Sequence, residues 1–144
     1  MFKRQIETVL TLDNSTRRLF RGVYPMDRLP ARRRGAYVIN MDNHDEPGSH
    51  WVAVFDDGNV EYMDSYGRPP LDARCIAFLG SDYDYNTLKL QRQYSQACGF
   101  YCVYYIIQRA RGYSAEQILS MLDNADSDYV VKRFLYSRYR PVFT

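Results

Sequence analysis

Histidine is almost missing from this chain of 144 residues, which has two of them beside three cysteines and one tryptophan. So small a supply of imidazole and thiol, with no ligand spacing among the cysteines, argues against a metal centre. The cysteines, Cys75, Cys98 and Cys102, are odd in number and outline no disulfide framework. No apolar run reaches the length of a membrane span, and the opening Met-Phe-Lys-Arg-Gln-Ile-Glu lacks the apolar core of a secretory signal. The expectation is an intracellular protein in a reducing compartment, free of the membrane. An excess of either charge is lacking too, with a formal net charge of +2. Basic residues do cluster at Arg17-Arg18, at Arg32-Arg33-Arg34 and between Lys132 and Arg140, so contact with DNA is a subsidiary expectation. Repeats, low-complexity tracts and interdomain linkers are absent. One domain over residues 1–144, acting as a monomer and large enough for a core, is expected.

What the chain has in quantity is tyrosine, 14 residues, which supplies contact area with a polar tip. Residues 1–30 read as a helical or irregular lead-in. Asp13-Asn14-Ser15-Thr16 form a capping cluster ahead of a short helix at Arg17 to Phe20, and Gly22, Pro25 and Pro30 interrupt regular structure. Tyr37 to Asn40 is a short apolar strand. Next come His50 to Phe55 and Val60 to Asp64, two strand-like runs around the turn signal Asp56-Asp57-Gly58-Asn59. A three-residue loop over 56–58 sets His50 opposite Asp64; a two-residue loop over Asp57-Gly58 makes that pair diagonal. Both faces of this hairpin are apolar, as in central strands.

Leu71 to Leu79 reads as a helix started near Asp72 and stopped by Gly80. Thr87 to Gln91 reads as a further short strand. The polar approach Gln91 to Ala97 then ends at Cys98-Gly99, where an apolar helix begins: Val103, Ile106, Ile107 and Ala110 mark one face, and Phe100, Tyr104 and Tyr105 fill the others. Gly112 ends it. Ser114 and Gln117 have capping-box spacing for the next helix, and Asp126-Ser127-Asp128 opens a last one through about Tyr136. Cys75, inside a helix, reads as a buried structural residue.

Cys98 falls at the first turn of its helix, where free N–H groups and the dipole favour an anion and hence a thiolate. A thiolate nucleophile needs an imidazole to share its proton and a carboxylate to orient that imidazole, and His50 and Asp64 lie together at one end of the hairpin. An oxyanion donor is also required. The Cys98 N–H is one candidate, and Gln91, Gln93 and Gln96 compete to supply a side-chain amide.

His50-Trp51, then Asp64, then Gln91-x-x-x-Ser95-x-x-Cys98-Gly99, in that order, resembles the adenovirus-protease family of cysteine endopeptidases. That family is similar in fold and site to proteases specific for SUMO and related modifiers. Within it, the short proteases of adenovirus-like and Maverick/Polinton-type double-stranded DNA elements resemble this chain most. The resemblance implies an α+β papain-like fold, with a small mixed sheet and the nucleophile helix packed against it. It implies Cys98 as nucleophile, His50 as general base then acid, Asp64 as orienting acid and Gln91 as oxyanion donor. Trp51 and Gly99 are then expected to contact substrate. The function implied is cleavage of viral capsid and core precursors at small-residue, glycine-containing sites during virion maturation, inside the infected cell, in the nucleus and in the virion. Some adenovirus proteases are activated by a disulfide-linked peptide and by DNA. This shorter chain is expected to need no cofactor, since dependence on a peptide or DNA does not transfer. The alternatives are the same chemistry directed at ubiquitin-like conjugates, or a DNA-binding virion protein with a vestigial site.

Overall fold

The computed structural model describes residues 1–46, 50–92, 95–123 and 126–143. The apolar stretches between residues 35 and 63 form the middle of a five-stranded sheet. Its strands β1 (Phe20–Pro25), β2 (Gly35–Asn40), β3 (Trp51–Asp56), β4 (Val60–Met63) and β5 (Asp84–Tyr85) lie side by side in chain order. The outer pairs, β1–β2 and β4–β5, are parallel, whereas β2–β3 and β3–β4 are antiparallel, so the sheet is mixed.

Every residue of β2 and nearly all of β3 and β4 are buried because both faces are covered. Ala53, Phe55 and Met63 face α3 (Cys98–Ala110), with α1 (Lys3–Leu12), α4 (Ala115–Asp123) and α5 (Ser127–Arg138) around it. Val52, Val54, Val60 and Tyr62 face the second core layer, where α2 (Ala73–Leu79) contributes Cys75, Phe78 and Leu79. Cys75 is 1% exposed there, and burial pushes its thiol up to about 12.

The expected caps form. The Asp72 side chain accepts the Arg74 N–H at 2.8 Å, and Gly80 ends α2 at a φ of 85°. Ser114 and Gln117 exchange side-chain and backbone bonds of 2.8 and 3.1 Å ahead of α4. On the α3 side, Glu61 of β4 is buried against Arg109, with contacts of 2.8 and 3.0 Å, and accepts the Tyr105 hydroxyl. The Arg109 guanidinium also lies 4.7 Å from the centre of the Phe55 ring. This paired charge joins α3 to the sheet.

Four sequence expectations are corrected. Residues Arg17 to Leu19 are turns, and Phe20 begins β1. This edge strand tolerates Gly22 at a register shift and Pro25 at its end, and its partner lies across a connection that local pattern does not reveal. Thr87 to Gln91 is no strand, because the Leu90 and Gln91 N–H groups both turn to the Ser65 carbonyl, at 2.9 Å each. The fifth strand is Asp84–Tyr85 instead. Regular structure also continues past Pro141, in a 3-10 turn over Arg140–Phe143.

The fourth correction concerns the hairpin. Asp56 pairs with Val60 and Ala53 with Met63, so the loop is Asp57 to Asn59, one residue further on than the three-residue loop expected. The Asp56 carboxylate accepts the Gly58 N–H at 2.9 Å, and Gly58 holds a φ of 106°. That side-chain bond inside the turn keeps Asp56 in the strand. Continued past the strand ends, this register sets His50 level with Tyr66, and Asp64 becomes its diagonal neighbour.

Candidate active site

His50 precedes β3 and Asp64 follows β4, so the hairpin delivers both to one end of the sheet. His50 Nε2 lies 2.9 Å from Asp64 Oδ1. The same imidazole interacts with the thiol of Cys98, which stands at the first position of α3 and lines one cleft with it. The Trp51 and Gly99 backbone N–H groups add their positive ends to the surroundings of the Cys98 sulfur. Sulfur, imidazole and carboxylate, distant in sequence, are thus brought together.

Burial disfavours charge on both members of the Cys98–His50 pair, and the contacts outweigh it. Burial pulls the His50 imidazole down, but hydrogen bonds to Asp64 and Cys98 lift it from 6.5 to about 9. Burial pushes the Cys98 thiol up, but the His50 hydrogen bond, the Trp51 N–H and the imidazolium charge bring it below its ordinary value. Both directions favour a thiolate–imidazolium pair at neutral pH, titrating as one unit. Cys102, one turn further along α3, is fully enclosed, and burial holds its thiol far above the usual range.

Asp64 is 2% exposed. Its Oδ1 also accepts the Tyr66 N–H at 2.8 Å, and its Oδ2 lies 3.6 Å from Arg68 Nε. Asn86, which the sequence did not single out, grips the same residue from behind. Its Oδ1 accepts the Asp64 N–H at 2.9 Å, and its Nδ2 donates to the Asp64 carbonyl at 2.6 Å and to Leu88 O at 3.3 Å. Tyr66 was also missed. Its ring stacks on His50, with centroids 5.1 Å apart and planes 29° apart, and its hydroxyl donates to Ser95 O at 3.3 Å. The observed hairpin register would have found Tyr66; no local signal marks Asn86.

Cys98 is only 7% exposed, yet it opens into a cleft of about 400 Å³ with His50, Trp51, Tyr66, Arg68 and Gln96. Trp51 is half-buried and shares its ring between this cleft and a neighbouring hollow lined by Tyr24, Arg28 and His44. Gly99 lies behind the wall, where a Cβ would come within 2.9 Å of the Met1 side chain. Gln91 is 2% exposed; its Nε2 donates to Ser95 O at 2.6 Å and its Oε1 accepts the Ser65 hydroxyl. Gln96 is exposed on the cleft wall, and Gln93 lies outside the described residues.

Arg32 is occupied in the fold, donating to Phe78 O at 3.0 Å and pairing with Asp56, whereas Arg17, Arg18, Arg33 and Arg34 are exposed. Among the described residues, no cluster of three or more metal-binding side chains occurs and no helix is long and apolar enough to cross a membrane.

No protein-family model matches the chain. A protein of Acanthamoeba polyphaga mimivirus with the provisional name of thiol protease R355 is 34% identical over 100 residues. That match takes in 59% of this chain and 33% of the mimivirus protein, so the chain spans about a third of its relative's length. Among solved structures, the ASFV pS273R protease is similar over 89% of this chain and 64% of its own, with a TM-score of 0.63 and 19% sequence identity. The chain therefore has the α+β protease fold expected of it, a mixed sheet with the Cys98 helix packed against one face. The similarity is to viral proteases in general and does not single out the adenovirus type.

Proposed function

We propose that this chain is a cysteine endopeptidase of the adenovirus-protease type that cuts viral structural precursor polypeptides at small-residue sites during virion maturation. The observation that carries the reading is the imidazole of His50 held between the Asp64 carboxylate and the Cys98 thiol at the mouth of a cleft. In this reading Cys98 attacks the scissile carbonyl as a thiolate. The imidazolium of His50 delivers its proton to the leaving amine, and Asp64 keeps the ring oriented and stabilises its charge. Neutral His50 then activates the water that releases the acyl group.

The tetrahedral oxyanion needs donors already in place. The Cys98 N–H, at the start of α3, is one. For the second we assign Gln91, whose Nε2 has a second hydrogen beyond the one given to Ser95. Gln96 on the cleft wall is the competitor, and kcat for Gln91→Ala against Gln96→Ala separates them. Trp51 would wall the substrate's path, while Gly99 would serve indirectly, leaving room for Met1. No peptide cofactor is required in this reading, and the buried thiol of Cys75 is unsuited to carry a disulfide-linked one. Exposed Arg17, Arg18, Arg33 and Arg34 are where contact with DNA would fall. The site of action would be the infected cell, its nucleus and the virion.

The test offers wild type and Cys98→Ala a glycine-containing fluorogenic peptide, a co-expressed capsid precursor, and ubiquitin and SUMO fusions. Cleavage of the peptide and precursor by wild type alone, with Cys98 as the thiol labelled by a peptide aldehyde or vinyl sulfone, is expected. Cleavage confined to the fusions would redirect the chemistry to ubiquitin-like conjugates. Cleavage surviving in Cys98→Ala would end the proposal.

A further inference from the structure

Among the described residues, no acidic side chain lines the cleft that holds Cys98; Arg68 lines it, and Lys89 stands near the Tyr66 ring of its wall. The Arg68 side chain is 59% exposed. Its Nε faces Asp64 at 3.6 Å, its guanidinium carbon lies 4.9 Å from the centre of the Tyr66 ring, and its two terminal nitrogens make no hydrogen bond among the described residues. Lys89 is exposed, with its ammonium 5.9 Å from the centre of the same ring and no acidic partner among the described residues. Tyr66 is the ring stacked on His50, so both positive groups flank the residue that covers the imidazole.

Of the nearby acids, Asp64 meets only the Nε edge of Arg68, through Oδ2 at 3.6 Å. Asp64 is 2% exposed and already bonded to His50 and to the Tyr66 N–H. Asp128 is 9% exposed and accepts the Tyr101 hydroxyl at 2.6 Å. The terminal edge of the Arg68 guanidinium is thus free for the paired hydrogen bonds that a carboxylate accepts. The ring distances place it within about three extended residues of the imidazole.

We propose that Arg68 and Lys89 read an acidic side chain of the substrate close to the bond that is cut. The inference rests on the proteolytic reading of the Cys98 site and adds a charge requirement to the small residue expected there.

The test measures binding and cleavage separately. Fluorescein-labelled peptides built around Gly-Gly carry Glu, or Gln in its place, at each of the three positions on either side. Their affinities for Cys98→Ala are read by anisotropy in 50 mM salt. At one or two positions the Glu peptide should bind about 5- to 10-fold tighter than its Gln twin, the scale of two exposed ion pairs. That ratio should shrink in 0.5 M salt. It should fall to about one in Cys98→Ala/Arg68→Gln/Lys89→Gln, and part-way with Lys89→Gln alone, a change at an exposed site that the fold tolerates. Equal affinities for the twins, or a preference that survives the triple variant, would overturn the proposal. Wild-type cleavage of the same peptides is scored alongside. Acid-selective binding with no cleavage of any peptide would defeat the proteolytic reading and leave the charge selectivity established.

Discussion

Replacing Asn86 with alanine tests how the carboxylate is held. The substitution strips the Asp64 N–H and C=O of their partners, at 2.9 and 2.6 Å, in a residue that is 2% exposed. A buried backbone group left without a partner costs about 1–3 kcal/mol. Two such groups, relieved in part by water entering the space vacated, give a loss of about 2–4 kcal/mol. For a chain of this size that lowers Tm by roughly 6–12 °C, read by circular dichroism and checked by urea titration at constant m-value. Activity should suffer separately. Asp64 released from behind no longer fixes the His50 ring, and a displacement of about 1 Å can cost on the order of 100-fold in rate. We expect kcat/KM to fall at least tenfold, mainly in kcat, with the pH profile of Cys98 alkylation moving toward that of Asp64→Asn. Asn86→Asp keeps the acceptor for the Asp64 N–H but turns a carboxylate oxygen on its carbonyl, and should do no better. A Tm within 2 °C of wild type, or a lowered Tm with an unchanged alkylation profile, would refute the reasoning.

The Cys98–His50 pair makes the thiol reactive where an ordinary one is protonated, so iodoacetamide should label Cys98 at pH 6 ahead of Cys75 and Cys102; a rate that rises only above pH 8 in wild type would count against the pair. In His50→Ala only the Trp51 and Gly99 N–H groups are left to oppose burial, and labelling should become slow and alkaline. His50 is raised from 6.5 to about 9, so its contribution to stability is complete below pH 6.5 and is lost as pH rises through 9. The Tm advantage of wild type over His50→Gln should shrink across that window, and a constant difference would contradict it. Arg109→Ala leaves Glu61 buried with only the Tyr105 hydroxyl, which should cost about 3–5 kcal/mol in urea denaturation, and a loss under 1 kcal/mol would refute the pairing's importance. Gly67 sits at a φ of 70°, and a Cβ there would meet the Thr87 carbonyl oxygen at 2.8 Å, so Gly67→Ala should lower both Tm and peptide turnover. Unchanged turnover would show that the 64–68 loop is not needed in this shape.

The parts of the site legible in the sequence were those with local signals. Apolar residues on both faces of 50–64 announced a central hairpin, and the start of an apolar helix at Cys98 put a thiol at a helix N-terminus. The hairpin register was misjudged because a side-chain bond from Asp56 into its own turn moved the loop along by one residue. The parity of the pairing was preserved, so the right residues still faced each core layer. Asn86 and the edge strand β1 escaped because their partners, Asp64 and β2, are fixed by tertiary pairing. Only the family resemblance set Gln91 ahead of Gln93 and Gln96, and its bonds to Ser65 and Ser95 belong to a loop that carries no periodic pattern.

The Met1 side chain rests on Gly99, and Phe2 helps to line the cleft. Any polypeptide joined ahead of Met1 must therefore leave past the mouth of the cleft that the proposed reading gives to substrate. An affinity handle attached at that end would crowd incoming peptides, whereas one attached at the other end would follow the 3-10 turn beyond α5. Preparations differing solely in which end bears the handle should therefore show different Michaelis constants.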